Sequence, residues 1–213
     1  MDWLRTIRAN LRNYLPEHGT IVPEQLIGFG RKRSSLKDVV LCMDQSGSMA
    51  ASVVYSSIFG AVMASMPALS TRFVAFDTAV ADLTNELNDP VDLLFGVQLG
   101  GGTDIHKALV YCESRITRPQ DTVMVLISDL EEGGSVAGMI QAAARIKQSG
   151  VQLIALLALS DEGKPHYDHR NAAAFAALDI PVFACTPDRF PDLMAAALAK
   201  RDLRLWLRAG GAG

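Results

Sequence analysis

Short apolar runs recur along the chain, separated by longer stretches whose apolar positions fall at helical spacing. The first run, 38 to 43, reads Asp-Val-Val-Leu-Cys-Met, and others fall at 71 to 76, 79 to 83, 121 to 128, 151 to 158 and 180 to 185. Runs of this kind suit strands buried in a sheet covered on both faces. Between and after them, segments rich in Ala, Leu, Met and Val predict helices at 50 to 65, 90 to 96, 104 to 116, 135 to 148, 169 to 178 and 189 to 203, with Pro67 ending the first. Only Asp77-Thr78 separates the runs at 71 to 76 and 79 to 83. That spacing closes a hairpin and is too short for a parallel crossover. Elsewhere the alternation has βαβ rhythm. The expected fold is α/β: a mainly parallel sheet of six strands with one antiparallel edge strand, and helices on both faces.

Residues before 36 have a different character. Arg5, Arg8 and Arg12 interrupt the apolar positions of a helix predicted at 2 to 14, and Pro16, Gly19, Pro23, Gly28 and Gly30 mark an irregular surface link after it. The basic cluster Arg31-Lys32-Arg33 then leads into the first core strand. The expected plan is an N-terminal helix and linker over 1–35, one globular domain over 36–203, and a tail over 204–213 with a disordered Gly-rich end. A chain of 213 residues with 49% hydrophobic content can bury one sizeable core and is short for two.

Composition narrows the function classes. A formal net charge of -3 provides no general field for nucleic acid, although the N-terminal stretch is locally positive. Cys42, Cys112 and Cys185 lie inside strand-like and helix-like runs without CxxC spacing, and read as buried free thiols. Charges interrupt the first 20 residues, and no later run approaches about 18 uninterrupted apolar residues, so neither a signal-peptide core nor a membrane span is expected. The expectation is a cytoplasmic protein whose partner is neither nucleic acid nor membrane.

The chemistry gathers where apolar runs end. Asp44-Gln45-Ser46-Gly47-Ser48-Met49 follows the first run, placing a carboxylate and two hydroxyls at two-residue steps. Gly100-Gly101-Gly102-Thr103-Asp104 comes where a loop should enter a helix, and Val123 to Ser128 is a second buried-type run, ending in Asp129. In an open α/β sheet, loops at the carboxyl ends of strands converge, so Asp44 and Asp129 can be spatial neighbours despite their separation in sequence. Two carboxylates and three hydroxyls, with no His or Cys, favour Mg²⁺, Mn²⁺ or Ca²⁺ over Zn²⁺. Mg²⁺ demands near-octahedral oxygen coordination at about 2.0 to 2.1 Å, which this set does not saturate, so water or an outside ligand should hold a position.

Asp44-x-Ser46-x-Ser48, then Thr103, then Asp129 resembles the metal-ion-dependent adhesion site (MIDAS) of von Willebrand factor type A (VWA) domains, in order and in context. The resemblance covers about residues 36 to 200 and implies a Rossmann-like, three-layer fold. Within that superfamily, Ser128-Asp129-Leu130-Glu131-Glu132-Gly133 and Gly100 to Ile105 look most like the bacterial intracellular branch similar to CoxE, whose members are often encoded beside MoxR-type AAA+ ATPases. The resemblance implies metal binding at Asp44, Ser46, Ser48, Thr103 and Asp129. It also implies capture of a partner's carboxylate by the bound ion, with a MoxR-type ATPase or its client as partner in remodelling or metalloenzyme maturation.

Other readings of the same residues are weaker. Asp44 and the two serines also suit a turn and a helix cap. The triple glycine lacks the Lys-Ser or Lys-Thr of a phosphate loop, and reads as the turn that presents Thr103. A haloacid-dehalogenase-like phosphatase would need a second Asp where Ser46 stands, and no GxSxG or His partner supports a serine hydrolase. The chain is therefore expected not to be an enzyme; a metal-dependent hydrolase, or a module in which the metal only braces loops, are the alternatives. His106 lies within reach of the cleft in sequence but is more often a surface residue. Asp104 suits a second role behind the metal ligands or the first turn of its helix. Glu131 and Glu132 read as solvated loop charges, and His166 to His169 as a loop entering a helix.

Overall fold

The strands predicted along the chain assemble into one mixed sheet, and its order explains why distant segments meet. A computed structural model describes residues 3–26, 37–49, 69–86, 101–157, 166–184 and 189–203. The helices predicted at 50 to 65 and 90 to 96, the triple glycine's Gly100, Cys185 and the tail at 204–213 lie outside the described residues. The chain divides into two units, 1–35 and 36–213.

In the first unit, helix α1 spans Trp3–Ala9 and a 3-10 turn follows at Leu11–Asn13. Strands β1 (Tyr14–Leu15) and β2 (Thr20–Ile21) then pair antiparallel. The α-helix is thus shorter than the expected 2 to 14, and part of the expected link is a small hairpin. Buried Asn10 supplies the reason. Its carboxamide nitrogen donates to the carbonyls of Thr6 and Gln25 at 2.7 and 2.8 Å, and its oxygen accepts the N–H groups of Glu24 and Gln25 at 2.9 and 3.1 Å. A side chain that bonds neighbouring backbone competes with continued helix. Gly19 closes the hairpin turn at φ 58°, a region glycine enters without steric penalty.

In the second unit the strands are β3 (Lys37–Asp44), β4 (Leu69–Phe76), β5 (Val80–Asp82), β6 (Thr122–Ser128), β7 (Gln152–Leu157) and β8 (Val182–Ala184). Their order is β5-β4-β3-β6-β7-β8, parallel throughout except for β5, which pairs antiparallel with β4 at the edge. The α-helices among the described residues of this unit are α2 (Ile105–Arg115), α3 (Val136–Gln148), α4 (His169–Ala177) and α5 (Phe190–Leu198). Each described element starts and ends within a few residues of its expected bounds; the closing helix is the most shortened.

Alternation along β3 builds two cores. Val39, Leu41 and Met43 pack with Phe190, Leu193 and Met194 of α5, whereas Val40 and Cys42 pack with Ile105 and Leu109 of α2, Met139 of α3 and Phe175 of α4. Side chains of opposite parity face opposite sides of a strand, so a sheet whose central strands are apolar at consecutive positions needs helices on both faces. This is a three-layer α/β fold. Cys42 and Cys112 are buried free thiols, and burial pushes the Cys42 thiol up. Among the described residues, no helix is long and apolar enough to cross a membrane.

β3 is followed in sequence by β4 on one side, while β6 and β7 run to the other. The sheet therefore reverses its order between β3 and β6, where a crevice opens outside the carboxyl ends of parallel strands.

Candidate metal centre

Asp44 is the last residue of β3, and the register pairing Met43 with Ile127 sets it beside Ser128 at the end of β6. The chain turns at once after Asp44. One carboxylate oxygen, Oδ1, accepts the Ser46 N–H at 2.9 Å, a local turn that Asp stabilises, and a short 3-10 turn runs from Gly47 to Met49. The other oxygen, Oδ2, accepts the Ser128 hydroxyl at 2.7 Å, and the Ser128 oxygen in turn accepts the Leu130 N–H at 2.9 Å.

Across the crevice, Asp129 Oδ1 accepts the Glu131 N–H at 3.0 Å, while its Oδ2 accepts the Ser48 hydroxyl at 2.5 Å. The Ser48 and Ser46 hydroxyl oxygens lie 3.2 Å apart. Asp44, Ser46, Ser48 and Asp129 are thus drawn into one group from two strand ends. Asp44 is 0%, Ser46 3% and Asp129 3% exposed, whereas Ser48 faces solvent. The group is a buried, oxygen-lined floor with an open side.

Among the described residues, Thr103 is tied by its backbone to the segment that follows Asp129, not to the other four predicted residues. Its carbonyl accepts the Gly133 N–H at 2.9 Å, tying the glycine loop to the segment after β6, and with Glu131, Glu132 and Asp168 it borders a surface pocket of about 450 Å³. Among the described residues, the Thr103 side chain makes no hydrogen bond to the other four predicted site residues. Gly133 approaches too closely for any side chain: a Cβ there would lie 2.7 Å from the Thr103 carbonyl oxygen.

The Asp129 loop is held from behind. Leu130 is buried at φ 60°, a left-handed conformation that costs a residue with a Cβ roughly 1–2 kcal/mol. The Asn171 amide donates to the Leu130 carbonyl at 2.8 Å, and the Asp168 N–H donates to the Asp129 carbonyl at 2.9 Å. Helix α4 thus pins the turn that aims Asp129.

The electrostatics are those of a carboxylate pair short of positive charge. Burial pushes the Asp44 carboxyl up to about 6, and Asp129 adds to the rise, while hydrogen bonds from Ser46 and Ser128 oppose it. Among the described residues, no Lys, Arg or His pairs with Asp44 or Asp129. Buried carboxylates are stable when something cationic accompanies them. The chemistry of the residues present fits a hard divalent cation, for which the carboxylates would supply anionic oxygens and the hydroxyls neutral ones.

The neighbouring polar residues take structural roles. Asp104 N-caps α2 through the Lys107 N–H at 2.8 Å. Glu132 is not the solvated charge expected from sequence: it accepts the His106 N–H at 3.1 Å and the Gly134 N–H at 2.8 Å, giving the start of α2 a second acceptor. Glu131 is exposed and pairs with His166 at 3.3 Å. The His106 ring packs against Gly138 of α3, where a Cβ would meet it at 2.7 Å. Asp168 N-caps α4, with His169 as its first residue, and among the described residues no three His, Cys, Asp or Glu side chains cluster as metal ligands. Sequence reasoning left Ser128 without a role; its one signal was a hydroxyl directly after the apolar run Val123 to Ile127. Asp77 was read only as a turn residue.

The fold and site can be compared with known proteins. The model of a family described as "VWA domain containing CoxE-like protein" matches residues 1–194. The chain is 38% identical over 196 residues to YehP of Escherichia coli (strain K12), a match covering 91% of this chain and 52% of that protein, so the chain spans about half the length of this relative. Among solved structures, BatB from Bacteroides thetaiotaomicron aligns with a TM-score of 0.57 at 14% identity, covering 77% of this chain and 99% of that one. A von Willebrand factor type A protein from Catenulispora acidiphila aligns with a TM-score of 0.56 at 16% identity, covering 78% and 42%.

Proposed function

The chain belongs to the family of VWA domain containing CoxE-like proteins, and from that premise we propose that it is a metal-dependent protein-interaction module with a MIDAS-type cation site at Asp44, Ser46, Ser48, Thr103 and Asp129. VWA domains are often used for metal-dependent protein interaction. One observation carries the reading: two buried carboxylates meet at the sheet's crevice, joined by serine hydroxyls, with no basic side chain among the described residues to balance them.

A bound Mg²⁺, or Mn²⁺ or Ca²⁺ in its place, would supply an electrophilic centre for an outside carboxylate. The chain's own residues do the rest. Asp44 and Asp129 would contribute two negative charges that roughly balance a divalent ion, while Ser46, Ser48 and Thr103 would contribute neutral oxygens that add no further charge and leave the ion electrophilic. The open side at Ser48 admits the ligand, and the buried floor strengthens charge-assisted contact with it. By family likeness the partner is a MoxR-type AAA+ ATPase or its client, and the pair acts in remodelling or metalloenzyme maturation. We read the module as non-catalytic. His106, the histidine closest in sequence to Thr103, is packed on Gly138 rather than aimed at the crevice.

A pull-down with candidate MoxR-type ATPases in Mg²⁺, in EDTA and with Asp44→Ala tests this. Capture by the Mg²⁺-loaded wild type alone is expected. Equal capture by all three, each confirmed folded, would overturn carboxylate capture and leave the metal at most a brace for the loops. Turnover of a phosphate ester abolished by Asp44→Ala would instead establish the hydrolase.

A further inference from the structure

Asp77 follows β4 and is 6% exposed. Phe76 pairs with Asp44 across the strands, and its carbonyl accepts the Gln45 N–H at 2.8 Å, so Asp77 stands one residue beyond the strand that flanks the candidate cation site. Its bonds run to both ends of the glycine loop. Oδ1 accepts the Ala79 N–H at 2.6 Å and the Thr78 hydroxyl at 3.5 Å, and Oδ2 accepts the Gly101 N–H at 3.2 Å. The Asp77 carbonyl accepts the Asp104 N–H at 2.8 Å. Gly101 and Asp104 bracket Thr103.

We propose that Asp77 is the positioning residue for Thr103, holding the glycine loop so that this hydroxyl is presented to the cation site. The inference rests on the metal-site reading above. Two further features carry it. First, Gly101 lies tight against Asp77: a Cβ would lie 3.0 Å from Asp77 Oδ2 and 3.3 Å from the Thr78 hydroxyl, so it would push the carboxylate aside by a few tenths of an ångström. At Gly102 the nearest atom to a Cβ would be Thr78 Cγ2 at 3.6 Å, ordinary contact. The second glycine of the triplet is therefore accounted for by its close approach to a carboxylate of this chain, and no phosphate is needed to explain it. Second, both Asp77 oxygens accept backbone N–H groups. An amide in its place has one acceptor oxygen and must turn its NH₂ toward one of those donors, so Asn keeps the shape and loses the clamp. The Gly133 N–H holds the Thr103 carbonyl at 2.9 Å, and Asp77 holds the loop on either side of Thr103 in sequence.

Mn²⁺ binding to the full chain, followed by electron paramagnetic resonance and calorimetry, tests this. Asp77→Asn and Thr103→Ala should each weaken Mn²⁺ binding by roughly ten- to a hundredfold, the usual effect of disturbing the groups that orient ligands. The double variant should be no weaker than the weaker single variant, because Asp77 acts through Thr103. Gly101→Ala should weaken binding with the carboxylate intact, and Gly102→Ala should not. It serves if Asp77→Asn fails to fold. In the metal-free protein, amide exchange at Gly102 and Thr103 should be faster in Asp77→Asn. Wild-type Mn²⁺ affinity in Asp77→Asn and Gly101→Ala, or additive losses in the double variant, would overturn this inference alone. No Mn²⁺ binding by the wild type would overturn the metal-site reading and this inference with it.

Discussion

Ser128 donates its hydroxyl hydrogen to Asp44 Oδ2 at 2.7 Å across the two central strands, joining residues 84 positions apart. The bond favours the ionised carboxylate, the form a cation needs, and the same oxygen satisfies the buried Leu130 N–H.

Ser128→Ala removes both services. Leaving a buried N–H without an acceptor costs about 1–3 kcal/mol, so denaturant unfolding should show a loss of that order. Removing a bond that lowers the Asp44 carboxyl should raise it further above about 6, and weaken Mg²⁺ binding near neutral pH. Calorimetry showing unchanged affinity would remove Ser128 from the site.

Asp44 makes the metal-free protein sensitive to pH. Its carboxyl is raised from 3.8 to about 6 on folding, so its favourable contribution is complete below about 4 and is lost as pH climbs through about 6. A shift of that size corresponds to something on the order of 3 kcal/mol. In EDTA, the Asp44 contribution should therefore make thermal stability fall between about pH 4 and 6, and Asp44→Asn should abolish that part of the fall while abolishing Mg²⁺ binding. With Mg²⁺, the wild type should regain stability above pH 6 and release a proton on binding between pH 5 and 6. A metal-free melting profile identical in wild type and Asp44→Asn would contradict the desolvation argument.

Gln45 is buried beside Asp44, and among the described residues neither amide atom of its side chain has a hydrogen-bond partner. Met has similar length and no strong polar atoms, so Gln45→Met should raise stability by about 1–3 kcal/mol, the usual cost of an unpaired buried polar group. A lower Tm for the variant would show that the amide has a partner in solution.

Gly133 and Gly47 form a matched pair. A Cβ at Gly133 would strike the Thr103 backbone oxygen at 2.7 Å, whereas nothing lies within 4 Å of one at Gly47. Gly133→Ala should cost about 1–3 kcal/mol through forced backbone movement and should weaken Mn²⁺ binding. Gly47→Ala should stay within about 0.5 kcal/mol of wild type. Equal melting temperatures for the two variants would refute the close approach.

The strand positions were legible because the central strands carry runs of consecutive apolar residues, which only a sheet covered on both faces can bury; Val39 and Val40, neighbours in sequence, lie in opposite cores. The antiparallel edge was legible because Asp77-Thr78 leaves no length for a crossover. The end of the first helix was not, since Asn10 is read as a helix breaker only once its bonds to Glu24 and Gln25 are seen. Glu132 was misjudged for the same reason: its partner at His106 lies 26 residues away.

From its own residues the chain determined the α/β alternation, the oxygen chemistry at Asp44, Ser46, Ser48, Thr103 and Asp129, and the family likeness. These depend on periodicity and on residue type at short spacing. Tertiary structure alone decided that β3 lies beside β6, which brings Ser128 onto Asp44 and Asp129 onto Ser48, and that Asp77 and Gly133 hold the loop carrying Thr103. The physical reason is that strand order is set by which buried faces can be covered together, a property of the whole sheet that no single segment encodes.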